Sequence, residues 1–446
     1  MDPVVIGTVG LSVSVLLILL RVPIAFSLGA AAISCIYLFF AFPSSGGVNL
    51  DGAARPALTL VTTTYFGLFH SYDLTAVPLF IALGHVCYRA GITSDIYFAA
   101  RSWLTRVPGG LAAASILGCG GFSAISGSSV ACAATMGRIA VPEMRKYGYS
   151  DGLASGSVAA GGTLGALIPP SLLFILYGIF AEQSISKLFL AGVIPGLVSM
   201  VGYVVVVAIW ATWRPADAPS ASETITHRER IVAAIKTWPA FLIFTIIVGG
   251  IYGGWFTATE AASVTLAIAV GISLAGRRIT LRDLVEAMRE TVLQSAAIFL
   301  IAGAAKVFVT FVSLTGVANA LVAFVQHAQL GPIWLILAIV GVYLLLGMFL
   351  DPIGIMLLTL PFTLPLIESQ GFNLIWFGVI VIKLLEMGLI TPPVGLNVFV
   401  LNSVVRPKVP VERMFLGVAP FFAMDLLVLA LLLIFPVLSI WLPSGI

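Results

Sequence analysis

The sequence predicts an all-α polytopic membrane protein, built as an inverted repeat with two re-entrant helical hairpins and two broken helices. Three observations predict it. Of 446 residues, 60% are hydrophobic and 9% are charged, against about 25% charged in soluble domains. Once the apolar runs are laid out as crossings, 17 of the 22 Lys and Arg residues fall on one side. A shift of 223 residues along the chain brings two Pro-Pro pairs into register. The same composition excludes other classes. A net charge of +3 with no basic tract offers no face for nucleic acid. Cys35, Cys87, Cys119 and Cys132 sit inside apolar runs at spacings that match no metal motif, and they read as small buried hydrophobes.

The elements follow in order. Met1-Asp2-Pro3 lacks the basic region of a cleavable signal, so the apolar run behind it reads as a retained first span, 3–20. Further spans are expected at 23–42 and 74–90, separated by a stretch, 43–72, with no assigned role. The run 108–141 is too long for one helix and is interrupted by Gly and Ser. It reads as a hairpin that enters and leaves on one side, an arrangement tolerated only inside protein or beside a water-filled cavity. Spans at 150–182 and 186–212 follow. The stretch 214–230, rich in Pro, Ser, Asp and Glu, reads as a soluble linker. Beyond it come spans at 231–252, 255–275 and 291–312, a second hairpin at 331–366, and spans at 374–405 and 411–442. Segments 94–106 and 281–290 mix charged and apolar residues at helical spacing and are expected along the membrane interface.

These elements group into N-terminal scaffold helices (1–73), a first repeat (74–213), the cytoplasmic linker (214–230), scaffold helices with an interfacial arm (231–290) and a second repeat (291–446). Of the basic residues outside the majority face, Arg55 and Lys187 lie on the opposite side, and Arg138, Lys306 and Lys383 lie within membrane segments. Positive charge marks the cytoplasmic side, so both termini are expected to face outward.

The 223-residue shift superimposes Pro142 on Pro365, Gly148 on Gly371, Gly165 on Gly388, and Pro169-Pro170 on Pro392-Pro393; with a two-residue gap, Gly91 meets Gly316. Five crossings separate the span at 74–90 from its mate at 291–312. Five is odd, so the second copy should be inverted, a layout characteristic of secondary transporters.

Candidate sites lie where the helices should break. Gly120 to Ser129 holds three glycines and four serines and forms the expected tip of the first hairpin. Turned backbone carbonyls and hydroxyls suit a small hard cation, and helix N-termini suit an anion; close helix packing through small residues is the competing reading. Its partner is Gly161-Gly162-Thr163-Leu164-Gly165, ahead of Pro169-Pro170, where two prolines must interrupt the helix. The second half offers Gly347-Met348-Phe349-Leu350-Asp351 as a tip, and Glu386 to Gly395 with Asn397 as a broken helix. Asp351 is the mate of Ser128. An ionisable residue in an apolar segment points to function, since burying it costs about 2.5–3.5 kcal/mol on insertion scales, although a helix cap would also account for it. Glu260, Lys306 and Lys383 read as structural, and Arg138 as structural or as a contact for a substrate carboxylate.

The phrases SAISGSSVACAATMGRIAVPEMRKYGYS, AAGGTLGALIPPS, LFLAGVIPG, GGIYGGWFTATEAA, GMFLDPIGIMLLTLPFTLPL and GLITPPVGLNVFV resemble the large membrane subunit of tripartite ATP-independent periplasmic (TRAP) transporters. The resemblance runs from about Val22 to the C-terminus; Ala258 departs from it, standing where the family commonly has proline. It implies a sodium-coupled importer of organic acids, such as a C4-dicarboxylate, in the bacterial inner membrane. It also implies a small four-span membrane subunit and a periplasmic substrate-binding protein as partners, an elevator-type mechanism of the ion-transporter superfamily kind, and no cofactor beyond Na+.

Carried over residue by residue, the resemblance implies one sodium near Ser126, Gly127, Ser128, Ser129, Gly162, Thr163 and Gly165. A second would lie near Gly347, Phe349, Asp351, Gly388 and Thr391. The substrate would lie near Ser128, Ser129, Asp351, Pro170, Pro393 and Asn397. A stand-alone ion-coupled carrier of organic anions is the nearest alternative. An intramembrane enzyme is a more distant one, because His70, His85, His227 and His327 fit no nucleophile or zinc pattern.

Overall fold

The computed structural model describes residues 2–43, 47–220 and 225–445; residues 221–224 of the expected linker lie outside them. Among the described residues every regular element is helical. The N-terminal group is α1 (Pro3–Leu19), α2 (Ile24–Ala41), α3 (Leu50–Phe69) and α4 (Ala76–Arg89). α3 occupies the stretch left unassigned above. It is capped by Asn49, whose side chain accepts from the Gly52 amide. Taken with Asp73–Arg89 it makes an apolar pair bent by 60°.

α5 (Ile92–Leu104) precedes the first helix pair, α6 (Gly110–Ser126) and α7 (Ser129–Lys146). The span expected at 150–182 is broken into α8 (Asp151–Gly162), a 3-10 turn at Thr163–Ala166 and α9 (Leu172–Phe180). Ser150 caps the start of α8, and Ser171 caps α9, satisfying an amide that the break would leave unpaired. α10 (Ile185–Trp213) closes the first half.

The second half opens with α11 (His227–Lys236) and α12 (Trp238–Tyr252), bent by 44°, and α13 (Ala258–Ala275). α14 (Leu281–Thr315) then runs for 35 residues without a break. At 1.5 Å per residue that is about 52 Å, longer than the roughly 30 Å hydrocarbon core. The segment 281–290, expected as a separate interfacial piece, is therefore continuous with the span that follows. Thr280 and Asp283 form a capping box at its start.

α15 (Val317–His327) precedes the second helix pair, α16 (Pro332–Gly347) and α17 (Pro352–Ser369). The next span is again in pieces, α18 (Leu374–Gly388) and α19 (Leu396–Val404), before α20 (Val411–Ile434) and a terminal turn, α21 (Val437–Ile440). Among the described residues, six helices are individually long and apolar enough to cross a membrane, and up to eight if each bent pair counts as one span. The other expected crossings are made of shorter pieces, the broken spans among them.

Positions matched by the 223-residue shift, and Gly91 with Gly316 across the two-residue gap, share backbone states. Gly91 and Gly316 start α5 and α15 with φ of 71° and 70°. Gly148 and Gly371 follow α7 and α17 with φ of 82° and 73°. Both Pro169-Pro170 and Pro392-Pro393 are cis.

Packing divides the helices into two neighbourhoods. α14 lies against α2, α3 and α4, with α13 on α4 and α1 on α2. α6, α7 and α8 pack on one another, with α19 on α7 and α20 on α8. The α8–α20 contact is a glycine seam: a Cβ at Gly156 or Gly417 would collide with the facing backbone, which is how small residues let membrane helices approach.

Candidate functional site

The first tip is a two-residue turn between α6 and α7. Gly127 takes the left-handed conformation, φ 63°. A Cβ there would stand 2.6 Å from the Pro170 carbonyl oxygen, so the tip rests directly on the diproline of the first broken span. Ser128 is extended and caps α7, its hydroxyl accepting from the Ala131 amide at 3.4 Å. Ser129 begins α7 and turns inward. Its backbone meets Gly165, where a Cβ would fall 2.6 Å from the Ser129 Cα. Its hydroxyl donates to Glu386 Oε2 at 2.5 Å.

The second tip is built the same way on the other broken span. Gly347 and Gly388 face each other, and a Cβ on either would come within 2.9 Å of the other's Cα. Val394 donates its amide to the Met348 carbonyl at 3.3 Å. Asp351 caps α17, accepting from the Gly354 amide at 3.0 Å. The two assemblies are cross-linked. Asn397 is fully buried and donates to the Ala159 carbonyl of α8 at 3.4 Å, while Ser129 bonds Glu386 across the same seam.

Between the tips lies a cavity of about 260 Å³ lined by Gly127, Ser128, Ser129, Asp351, Glu386 and Gln294, among others. A neighbouring cavity of about 310 Å³ shares Ser128 and Gln294 and extends past Ser126, Thr135 and Arg138 to His85 and Glu290. Four of the expected site residues, Gly127, Ser128, Ser129 and Asp351, thus line one space, and Ser126 lines the next. Gly162, Thr163 and Gly165 are buried beneath the first tip, and Gly388 beneath the second, with Thr391 partly exposed beside it. Pro170 is buried, Pro393 is exposed, Phe349 is 56% exposed and Asn397 is enclosed; none of the four lines either cavity.

Three buried oxygens at this junction lack partners among the described residues: Ser126 Oγ, Glu386 Oε1 and Asn397 Oδ1. Native proteins satisfy most such atoms, and a carboxylate, an amide oxygen and a hydroxyl are the donor types that hard cations take.

The partners of two embedded charges were not legible in the sequence. Glu386 was part of the broken-helix phrase without a role, although a carboxylate in an apolar run was the signal. Deeper in, Lys383 Nζ pairs with Asp425 Oδ1 at 2.5 Å and donates to Ser199 Oγ at 3.0 Å. Tyr203 donates to the same Asp425 at 2.7 Å and meets Thr163 Oγ1 at 2.8 Å. A buried network thus ties α18, α20 and α10 to the turn under the first tip. Glu260, read as structural from the sequence, closes a capping box with Thr257 at the start of α13.

Comparison with known proteins follows this geometry. The family model described as "Tripartite ATP-independent periplasmic transporter, DctM component" matches residues 11–438. The chain is 33% identical over 402 residues to a C4-dicarboxylate TRAP transporter large permease protein of Pseudomonas aeruginosa, covering 90% of this chain and 93% of the relative. It is 32% identical over 424 residues to a sialic acid TRAP transporter large permease protein of Vibrio cholerae, covering 95% of each. Among solved structures, the YdaH transporter of Alcanivorax borkumensis superimposes with a TM-score of 0.61 at 14% identity, over 96% of this chain and 98% of that one. That last likeness speaks to fold alone.

Proposed function

The chain belongs to the DctM component family of tripartite ATP-independent periplasmic transporters, a multi-pass membrane family, and from that premise we propose that it is a sodium-coupled importer of an organic acid across the bacterial inner membrane. The substrate is a carboxylate or a similar anion. The relatives named for C4-dicarboxylates and sialic acid support that class. The observation that carries the reading is the meeting of two hairpin tips over two broken helices, with Ser128, Ser129, Asp351 and Glu386 around one cavity.

In this reading the two halves are inverted copies. The first hairpin enters from the cytoplasm and the second from outside, with both termini periplasmic. Cations bind beneath each tip, one between Ser126–Ser129 and Gly162–Gly165, the other between Gly347–Asp351 and Gly388–Thr391. Carbonyls freed by the breaks, together with the unpartnered oxygens of Glu386 and Asn397, supply ligands. The anion then binds between the tips, where the N-termini of α7 and α17 and the bound cations offset its charge. α6 to α10 and α16 to α20 form the body that carries the site, and it slides as an elevator past α1 to α4, α13 and α14. Each sodium charge moving inward down the potential gains about 2.3 kcal/mol per 100 mV. A small membrane subunit and a periplasmic binding protein complete the machine, as the word tripartite in the family's description supports.

Uptake into liposomes holding this chain and its small partner tests the proposal. Accumulation should require both sodium and the binding protein. Uptake indifferent to both omissions overturns it, and uptake that needs sodium alone favours a stand-alone carrier.

A further inference from the structure

We propose that Arg138 is a second anion-binding station, on the cytoplasmic side of the tip cavity, where the acidic group of the substrate is held on its way out. The inference rests on the transport reading above and adds to it a residue and a step.

Arg138 stands on α7 nine positions after Ser129, about 13 Å along the helix axis. Ala131, Thr135 and Arg138, at intervals of four and three, occupy one face of α7, and that face lines the 310 Å³ cavity together with Ser126 and Ser128.

The electrostatics of this cavity single out Arg138. Its opposite wall carries Glu290, and behind it Glu286 and Arg89. Those groups pair among themselves, with Arg282 also 3.5 Å from Glu286. Arg89 bonds Glu286 at 2.9 Å and Glu290 at 2.8 Å. His85 bridges Glu290 at 3.2 Å and Gln294 at 3.2 Å. Arg138 alone among the charged side chains of the cavity has no ion pair or hydrogen bond to any described residue.

Arg138 is exposed in this cavity and its guanidinium is uncommitted, so its charge is free to meet an anion there. The planar fork of five N–H donors suits a carboxylate or sulfonate taken in bidentate fashion. A positive charge set beyond the tip also draws the anion off the tip site once its cations leave, so the station assists release and does not compete with loading. A merely orienting arginine, placed for the positive-inside bias, would not need to line the same space as Ser126 and Ser128.

The test is anion binding to the full chain in lipid nanodiscs, in sodium chloride and in choline chloride. The probes are succinate, N-acetylneuraminate, isethionate and sulfate. Wild type should bind at least one, and Arg138→Gln should weaken that binding roughly tenfold or more, the loss expected for a charge-assisted hydrogen bond. Arg138→Lys, which keeps the charge but loses the fork, should recover part of the loss. If Arg138→Gln lowers the amount of protein in the membrane but leaves every wild-type affinity unchanged, the residue only orients the chain and the proposal fails. Ser128→Ala separates the two layers of argument. Loss of sodium-dependent binding in Ser128→Ala, with Arg138→Gln unaffected, overturns the station while sparing the tip site. Absence of sodium-dependent binding of every probe to wild type overturns the transport reading itself.

Discussion

Ser128 and Asp351, 223 residues apart, hold the same structural post. Each caps the second helix of its hairpin, Ser128 accepting from the Ala131 amide at 3.4 Å and Asp351 from the Gly354 amide at 3.0 Å. Both face the cavity between the tips. One post is neutral and the other ionisable, so two copies of one turn present chemically different ends to a ligand.

That difference makes Asp351 separable into two roles. Asn is as good an N-cap as Asp, so Asp351→Asn should keep the helix start and lose only the charge. We expect near-wild-type thermal stability with sodium affinity reduced about tenfold or more. Asp351→Ala should lose about 1 kcal/mol of stability as well. Sodium titrations of uptake, alongside thermal unfolding in detergent, check both. Equal sodium affinity in wild type and Asp351→Asn would leave the side chain as a cap only.

Ser129 and Glu386 form the seam between the two halves of the site. Removing the hydroxyl in Ser129→Ala leaves a carboxylate that is 2% exposed with neither oxygen bonded to protein. The expected penalty is about 1–3 kcal/mol. A double-mutant cycle with Glu386→Gln should show coupling of the same order. Additive effects in that cycle would contradict the contact.

The close backbone approaches make a steric prediction. Gly165→Ala would place a methyl 2.6 Å from the Ser129 Cα, and Gly388→Ala one 2.7 Å from the Gly347 Cα. Each must push a tip off its broken helix, at about 1–3 kcal/mol, and transport should fall further than stability. Gly341, with open space around it, is the matched control, and Gly341→Ala should be close to neutral in both assays.

Lys383 and Asp425 are 2% and 0% exposed. Breaking the pair with Lys383→Met or Asp425→Asn leaves one charge buried alone, and each should cost about 3–5 kcal/mol. The double replacement Lys383→Met with Asp425→Leu should recover much of that loss. Denaturation of the purified variants decides this, and a double variant no better than either single one would argue against the pairing.

Much of this site was legible in the chain because its punctuation is covalent. Gly127, the two diprolines and Ser128 announce breaks and caps through residue type alone, and the repeat places each tip over its own broken helix. The contacts between halves were not legible. Nothing along the chain tells how α18 is rotated about its axis, and that rotation decides whether Glu386 meets Ser129 and Lys383 meets Asp425. Helix α3 was obscure for another reason. Asp51, Arg55, three successive threonines and an internal Pro56 dilute its apolar signal, and it bends into α4 after only a short turn. The continuity of α14 was hidden by charges in its first turns, which read as an interfacial segment until the unbroken backbone joined them to the span.

The Lys383–Asp425 pair has an electrical consequence. Opposite charges 2.5 Å apart on α18 and α20 form a compact dipole with no net charge. On the proposed elevator movement the membrane voltage does no net work on this pair, and any current is left to the other charges on that body and to what it carries.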